Sequence, residues 1–413
     1  MGIRNGKPVK VLSLDGGGTW SLIQARVLMD LYPGCSGHEI LRDFDFVAAN
    51  SGGGVVTACL IDDMKPEAIL DLFMSRDLRV HLFQPLPFYR KWLRVFGLKI
   101  GPQFATAGKL ACLTKVLQGQ AADALGKVSV LNRKGAPVRF LFAAYDYDRD
   151  RAVFFRSDAD SPAANFPRKP VALSVIDAVH ASSTAPVQFF DQPADFGSKR
   201  YWDGGVSGLN NPVLAGVVEA VAAGAPRDQI GVLSIGTGST FLPRSGPAAV
   251  AELVQQDADI GLVPGIKKLA GAVLADPPDT DSFLAHLMLG GQLPRSPAEF
   301  RAPTALVRLS PLVRPEVGPG EWVLPKGFSA DDFARLASMD LAVIEDADAE
   351  LVLRFCESWM AGDWPNQPIR HGGDLDGGGA PNRDFCEIGQ QRYADGKRAW
   401  AAPLHAPISP AYA

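Results

Sequence analysis

The 413-residue sequence predicts an α/β fold: a three-layer sandwich with a central, mostly parallel sheet, helices on both faces and a helical C-terminal extension. Three observations predict it. Short, β-favouring apolar runs alternate with segments of helical periodicity. Several of those runs end abruptly in glycines, at the strand ends where open α/β sheets hold ligands. Apolar residues make up 47% of the chain and charged residues 21%, so a large core can form.

The elements follow in order. "VKVLSL" (9–14) is a strand that runs into Asp15-Gly16-Gly17-Gly18. A helical pattern carries Leu22, Ile23, Val27, Leu28 and Leu31 until Pro33-Gly34 stops it. "FDFVAA" (44–49) is a second strand, and Ser51 with three glycines separates it from the helical "VVTACLIDDM". "VRFLFAAYD" (138–146) and "AVFFRS" (152–157) form a strand pair across a turn. "ALSVIDAVHASS" is helical, and "GVLSIGTGS" (231–239) is a further strand ending in glycines. Ser329 and Asp332 form a capping box for a helix with Phe333, Leu336 and Met339. The expected organisation is a main domain over 1–328, with its motif-bearing core at 9–240. Residues 329–413 form a helical extension and a Gly/Pro-rich tail packed on the same domain.

Composition excludes several classes. Net charge is −4, so no global basic field argues for nucleic acid. Five cysteines (Cys35, Cys59, Cys112, Cys356, Cys386) lie far apart without a CxxC spacing, which argues against a zinc site or a disulfide framework. A reducing compartment is the expectation, and no metal or cofactor is called for. The start, "MGIRNGKPVKVLSL", is too polar for a signal peptide, and Gly6 stands where a myristoylation motif needs Ser or Thr. The expected location is the cytoplasm.

Ser51 raises the functional question. A serine on a sharp strand-to-helix turn between small residues is a nucleophile elbow, and a helix N-terminus favours developing negative charge. The same stretch reads equally well as an N-cap in a glycine-rich loop. Gly16, Gly17 and Gly18 follow a strand and can aim backbone N–H groups at one spot, as an oxyanion hole does. A phosphate-cradling loop is the weaker reading, because neither Gly-Lys-Ser/Thr nor GxGxxG is present. The second Asp-Gly-Gly-Gly, at 376–379, follows no apolar strand and reads as a loop. Asp203, in "RYWDGGVSGLNNP", ends another strand and is either a base toward a hydroxyl or a turn aspartate.

Together these motifs resemble the patatin-like phospholipases. "LSLDGGGTW" is similar to the family's oxyanion loop, "FDFVAANSGGG" to its G-x-S-x-G elbow, and "YWDGGVSGLNNP" to the block of its catalytic aspartate. "AVHASSTAPVQFF" (178–190) and "VLSIGTGS" (232–239) resemble the blocks that flank the aspartate. Three residues depart from the pattern: Ala49 for the first elbow glycine, and Trp20 and His180 where arginine is frequent. The resemblance implies a Ser51–Asp203 dyad without histidine, an oxyanion hole at Gly16–Gly18, and no cofactor. It implies hydrolysis of fatty acyl esters through an acyl-enzyme, and a lipid substrate met transiently at a membrane surface. A non-catalytic or ligand-gated fold of this type that binds lipid or nucleotide is the alternative. His180 reads as a packing residue.

Residues 76–104 carry six basic residues and interleaved aromatics, which suits an anionic lipid surface. The competing reading places the aromatics in the core beneath a solvated basic face.

Overall fold

The computed structural model describes residues 8–87, 101–158, 173–196, 198–242, 277–291, 305–317, 322–371 and 386–402. The strands are β1 (Val9–Leu14), β2 (Phe46–Ala49), β3 (Arg139–Asp146), β4 (Arg151–Arg156), β5 (Ala194–Asp195), β6 (Arg200–Asp203), β7 (Ile230–Ile235), β8 (Ser239–Thr240) and β9 (Leu306–Leu309). All but β8 form one sheet, in the order β5-β6-β3-β2-β1-β7-β9 with β4 also on β3. Strands β3, β2, β1, β7 and β9 are parallel to their neighbours. At one edge β4 and β6 run antiparallel to β3, and β5 pairs with β6.

The alternation of a strand decides which face each residue serves. On β1, Leu12 and Leu14 enter the larger core cluster and Val9 and Val11 the smaller one. On β7, Leu233 and Ile235 divide from Ile230 and Val232 in the same way. The larger cluster is covered by α1 (Leu22–Leu31), α3 (Ser51–Ile61), α4 (Pro66–Met74), α6 (Thr106–Val116) and α7 (Val175–Ser182), numbered with the intervening short helices α2 (Gly37–Leu41) and α5 (Arg76–Leu82). α8 (Val213–Ala222) and α9 (Pro277–Met288) cover the smaller one. This is the expected three-layer arrangement.

The C-terminal helices are α10 (Ala330–Ser338), α11 (Asp346–Ala361) and α12 (Tyr393–Ala401). The Ser329–Asp332 capping box opens α10. Trp359 and Phe355 of α11, with Trp364, join the larger core, and Trp364 stacks on Phe333 at 5.8 Å. Among the described residues no helix is long and apolar enough to cross a membrane.

The stretch 76–104 divides. Phe83 and Phe104 are buried against Phe190, so these two aromatics pack inward. Arg79 is fully buried, pairs with Asp346 and donates to the Phe73 and Ile344 carbonyls, so it belongs to no exposed basic face. Arg90, Lys91, Arg94 and Lys99 lie outside the described residues, as does the second Asp-Gly-Gly-Gly.

Candidate active site

The parallel strands deliver their carboxyl ends to one place. β2 stops at Ala49, Asn50 is extended, and Ser51 begins α3 with φ of 49°. A side chain in this left-handed region is strained by about 1–3 kcal/mol and is held only by its surroundings. Here the Ser51 N–H donates to Ser182 Oγ at 3.0 Å, and the Asn50 N–H to the Leu14 carbonyl at 3.1 Å. The glycines after Ser51 are required by close approach. A Cβ at Gly53 would lie 2.4 Å from the Leu14 carbonyl oxygen, and one at Gly52 2.1 Å from Ser21 Oγ. Ala49 is accommodated in the buried interior of the sheet between Leu14 and Phe142.

The loop after β1 packs directly on this elbow. A Cβ on Gly16 would come within 2.9 Å of Ser51 Cβ. The Gly16 N–H donates to the Asn210 carbonyl at 2.8 Å, which corrects the expectation that Gly16 supplies an oxyanion donor: its N–H is already committed. Gly16 acts by its smallness. The N–H groups of Gly17 and Gly18 find no acceptor among the described residues, and Gly18 takes a φ of 55°. The Gly52 N–H, unforeseen in the sequence, is in the same state, and both Gly18 and Gly52 line the cleft with Ser51.

Anchors from distant segments fix the loop. Arg308 on β9 grips the buried Asp15 carboxylate with two nitrogens, at 2.9 and 2.5 Å, and also donates to Ser234 Oγ at 2.7 Å. Burial pushes the Asp15 carboxyl up and Arg308 pulls it back. Asp281 nearby is pushed up to about 7, by burial first and then by Asp15. Thr237 Oγ1 donates to the Gly16 carbonyl at 2.7 Å, and Thr19 N–H to the Leu341 carbonyl at 3.0 Å. Trp20 is buried and donates from Nε1 to the Asp340 carbonyl at 3.1 Å.

Asp203 closes β6 opposite Ala144. Its Oδ1 accepts from the Gly205 N–H at 2.8 Å and from Asn50 Nδ2 at 3.0 Å, and its own N–H donates to the Thr184 carbonyl at 2.9 Å. Asn50 Oδ1 in turn accepts from Ser182 Oγ at 3.2 Å. One amide therefore joins the residue beside the serine to the aspartate. Burial raises the Asp203 carboxyl above the ordinary carboxylate value; the Gly205 N–H, the Ser51 hydroxyl, Asn50 and the Lys109 charge each hold it down. A carboxylate in this state is a stronger base than one in water.

His180 takes the packing role. It is buried edge-on to Phe196 with ring centroids 6.4 Å apart, and burial, then Lys109, depress its pKa to about 2. The cleft above Ser51 has a cavity volume of about 40 Å³ and is walled mainly by apolar side chains, among them Val55, Phe73, Leu82, Phe189 and Leu341. A second, smaller apolar cavity of about 10 Å³ shares Val55, Phe73 and Leu82 with it and reaches Cys59 and Leu117. Asn50, Lys109, Ser182, Thr184 and Arg308 were not singled out by sequence. Ser182 and Thr184 stand inside the quoted 178–190 block, which was the available signal; Arg308 and Lys109 stand in no motif.

Two solved structures show similarity to this chain. VipD from Legionella pneumophila is 12% identical, with 85% of this chain and 67% of that one covered and a TM-score of 0.34. A chain of the full-length SpcU–ExoU complex from the type III secretion system of Pseudomonas aeruginosa is 18% identical, with 44% and 39% covered and a TM-score of 0.24. No curated protein matches. The profile described as patatin-like phospholipase matches residues 12–217, the half that holds the elbow, the glycine loop and Asp203. On that match the chain belongs to the patatin-like phospholipase family, whose members are lipid hydrolases.

Proposed function

We propose that the protein is a phospholipase A-type lipid acyl hydrolase that works through a Ser51–Asp203 dyad. Asp203 accepts the proton as Ser51 Oγ attacks the ester carbonyl. The carbonyl electron pair moves onto oxygen, and the Gly17 and Gly18 N–H groups, with Gly52, stabilise it. Collapse of the tetrahedral species expels the alcohol, which takes the proton from Asp203 and leaves an acyl-serine. Water, deprotonated by Asp203, then releases the fatty acid and restores Ser51. The observation that carries this reading is the strained Ser51, set beside the uncommitted N–H groups of Gly17, Gly18 and Gly52 and a network that ends on Asp203. The apolar lining of the cleft supports a fatty acyl substrate.

The enzyme acts in the cytoplasm and meets its lipid transiently at a membrane surface. The separated cysteines and the basic, aromatic stretch 76–104 support this reading, although its Arg79, Phe83 and Phe104 serve the core. A fluorophosphonate probe followed by mass spectrometry tests the nucleophile. The expected label is on Ser51, with loss of labelling in Ser51→Ala. A folded, unlabelled wild-type protein without esterase activity would instead identify a non-catalytic lipid- or ligand-binding member of the fold.

A further inference from the structure

Lys109 is the buried group that the mechanism above leaves unused. It sits on α6, 3% exposed, beneath the same cleft as Ser51. Its Nζ donates to the His180 carbonyl at 3.0 Å, to Ser183 Oγ at 3.1 Å and to Thr184 Oγ1 at 2.6 Å. It also lies 4.4 Å from the centre of the Phe190 ring.

The hydrogen-bond geometry around Nζ suits the ammonium form. The Thr184 hydroxyl spends its proton on the His180 carbonyl at 2.5 Å, and the Ser183 hydroxyl spends its own on the Val179 carbonyl at 2.7 Å. Both hydroxyl oxygens can therefore only accept from Nζ, as the His180 carbonyl must. Three acceptors require three N–H donors. An ammonium has three and a neutral amine two. Burial holds Lys109 well below the ordinary lysine value and the Asp203 charge pulls it back up; three oxygens grouped around Nζ match the three donors of an ammonium.

The turn that holds Lys109 also holds both members of the dyad. Ser182 receives the Ser51 N–H, and Thr184 receives the Asp203 N–H. We propose that Lys109 is a positioning residue of the dyad: a buried ammonium that locks the 180–184 turn and keeps Asp203 in its carboxylate form. The titratable groups that face it are His180 from α7 and Asp203 at the end of β6. On α5, Arg79 is turned away to Asp346. The buried Lys109 charge thus answers the buried Asp203 charge at the catalytic base, without touching substrate. This extends the dyad reading and rests on it.

Two measurements test the proposal. The first is the pH profile of kcat/KM for Lys109→Met on a soluble p-nitrophenyl ester. Asp203 must be ionised to act, so activity is lost as pH falls through its pKa. Without the ammonium that pKa rises. The acid limb is expected to move up by a unit or more, so that the loss on the acid side of the wild-type midpoint is about tenfold greater than on the alkaline plateau. A merely structural lysine would lower activity equally at every pH, and an unmoved limb overturns the proposal. The second is a denaturation cycle of Lys109→Met with Asp203→Asn, which reads no activity. Lys109→Met is expected to destabilise the wild-type background more than the Asp203→Asn background, to the point of folding only in the latter. Equal losses, or failure to fold in both, overturn it. If Ser51→Ala stays active, the dyad reading fails, while this cycle still reports on the Lys109–Asp203 coupling.

Discussion

Replacing Arg308 with methionine removes the cation that grips Asp15 and leaves the hydrophobic volume largely filled. Both partners are buried, with side-chain exposures of 3% and 5%. Breaking such a pair by deleting one member costs about 3–5 kcal/mol, because the remaining charge is left uncompensated. Asp279 and Asp281 add their repulsion to Asp15. At about 1.4 kcal/mol per decade, the folding constant falls by roughly two to four decades at neutral pH. The penalty depends on pH, and its sign follows from Asp15. Its folded pKa already lies above 3.8 through burial, and losing Arg308 raises it further. The folded variant takes up a proton that the unfolded chain releases, so its penalty is largest near pH 8 and shrinks toward pH 5. Asp15→Asn in the same background removes the stranded charge and is expected to restore much of the stability. It does not restore the grip on the loop, so activity stays low; losing one oxyanion donor alone lowers kcat by about 10²–10³. Urea denaturation at pH 5 and pH 8, with kcat on a soluble ester, measures all of this. A destabilisation below about 1 kcal/mol, with kcat within tenfold of wild type, would refute the clamp.

Ser51→Gly should be inactive yet more stable than Ser51→Ala by about 1 kcal/mol, because glycine takes a φ of 49° without strain; equal melting temperatures would show that the elbow stores none. Gly17→Ala, whose Cβ would lie 2.2 Å from Thr237 Oγ1, should lower kcat more than it raises KM. A change confined to KM would make the segment a substrate-binding loop. Asp203→Asn should be nearly inactive, whereas His180→Phe should keep most activity and the wild-type acid limb; a folded but dead His180 variant would reopen the question of a triad. Reversing Arg90, Lys91 and Arg94 to Glu should slow hydrolysis of anionic vesicle phospholipid and spare soluble esters, and equal losses on both would remove the stretch as a membrane contact.

Much of this site was legible because its signals are local. β1, β2 and β7 declare themselves as apolar runs that stop at small residues, and the chemistry sits at those stops. Ser51 and Asp203 were readable for the same reason. What escaped depends on partners far along the chain. Lys109 meets His180 across 71 residues and Arg308 meets Asp15 across 293, so neither has a neighbour in sequence that explains it. Arg79 read as one of a basic group because its partner, Asp346, is 267 residues away. Gly16 shows a subtler limit: three equivalent glycines in sequence become one whose N–H is bonded and two whose N–H groups find no acceptor among the described residues only once the Asn210 carbonyl arrives.

The clamp on Asp15 has a consequence for the order in which the protein comes into being. A ribosome adds about 5–20 residues per second, so the 293 residues between Asp15 and Arg308 take roughly 15 to 60 s to make. During that interval β7 has no β9 beside it, and neither Arg308 nor Leu341 is there to hold the glycine loop. The nascent chain displays serine, aspartate and glycines before the residues that anchor them exist. The glycine loop takes its final seat on β1 only after Arg308 and Leu341 have been made, so the part of the site written first in the sequence is the part fixed last in space.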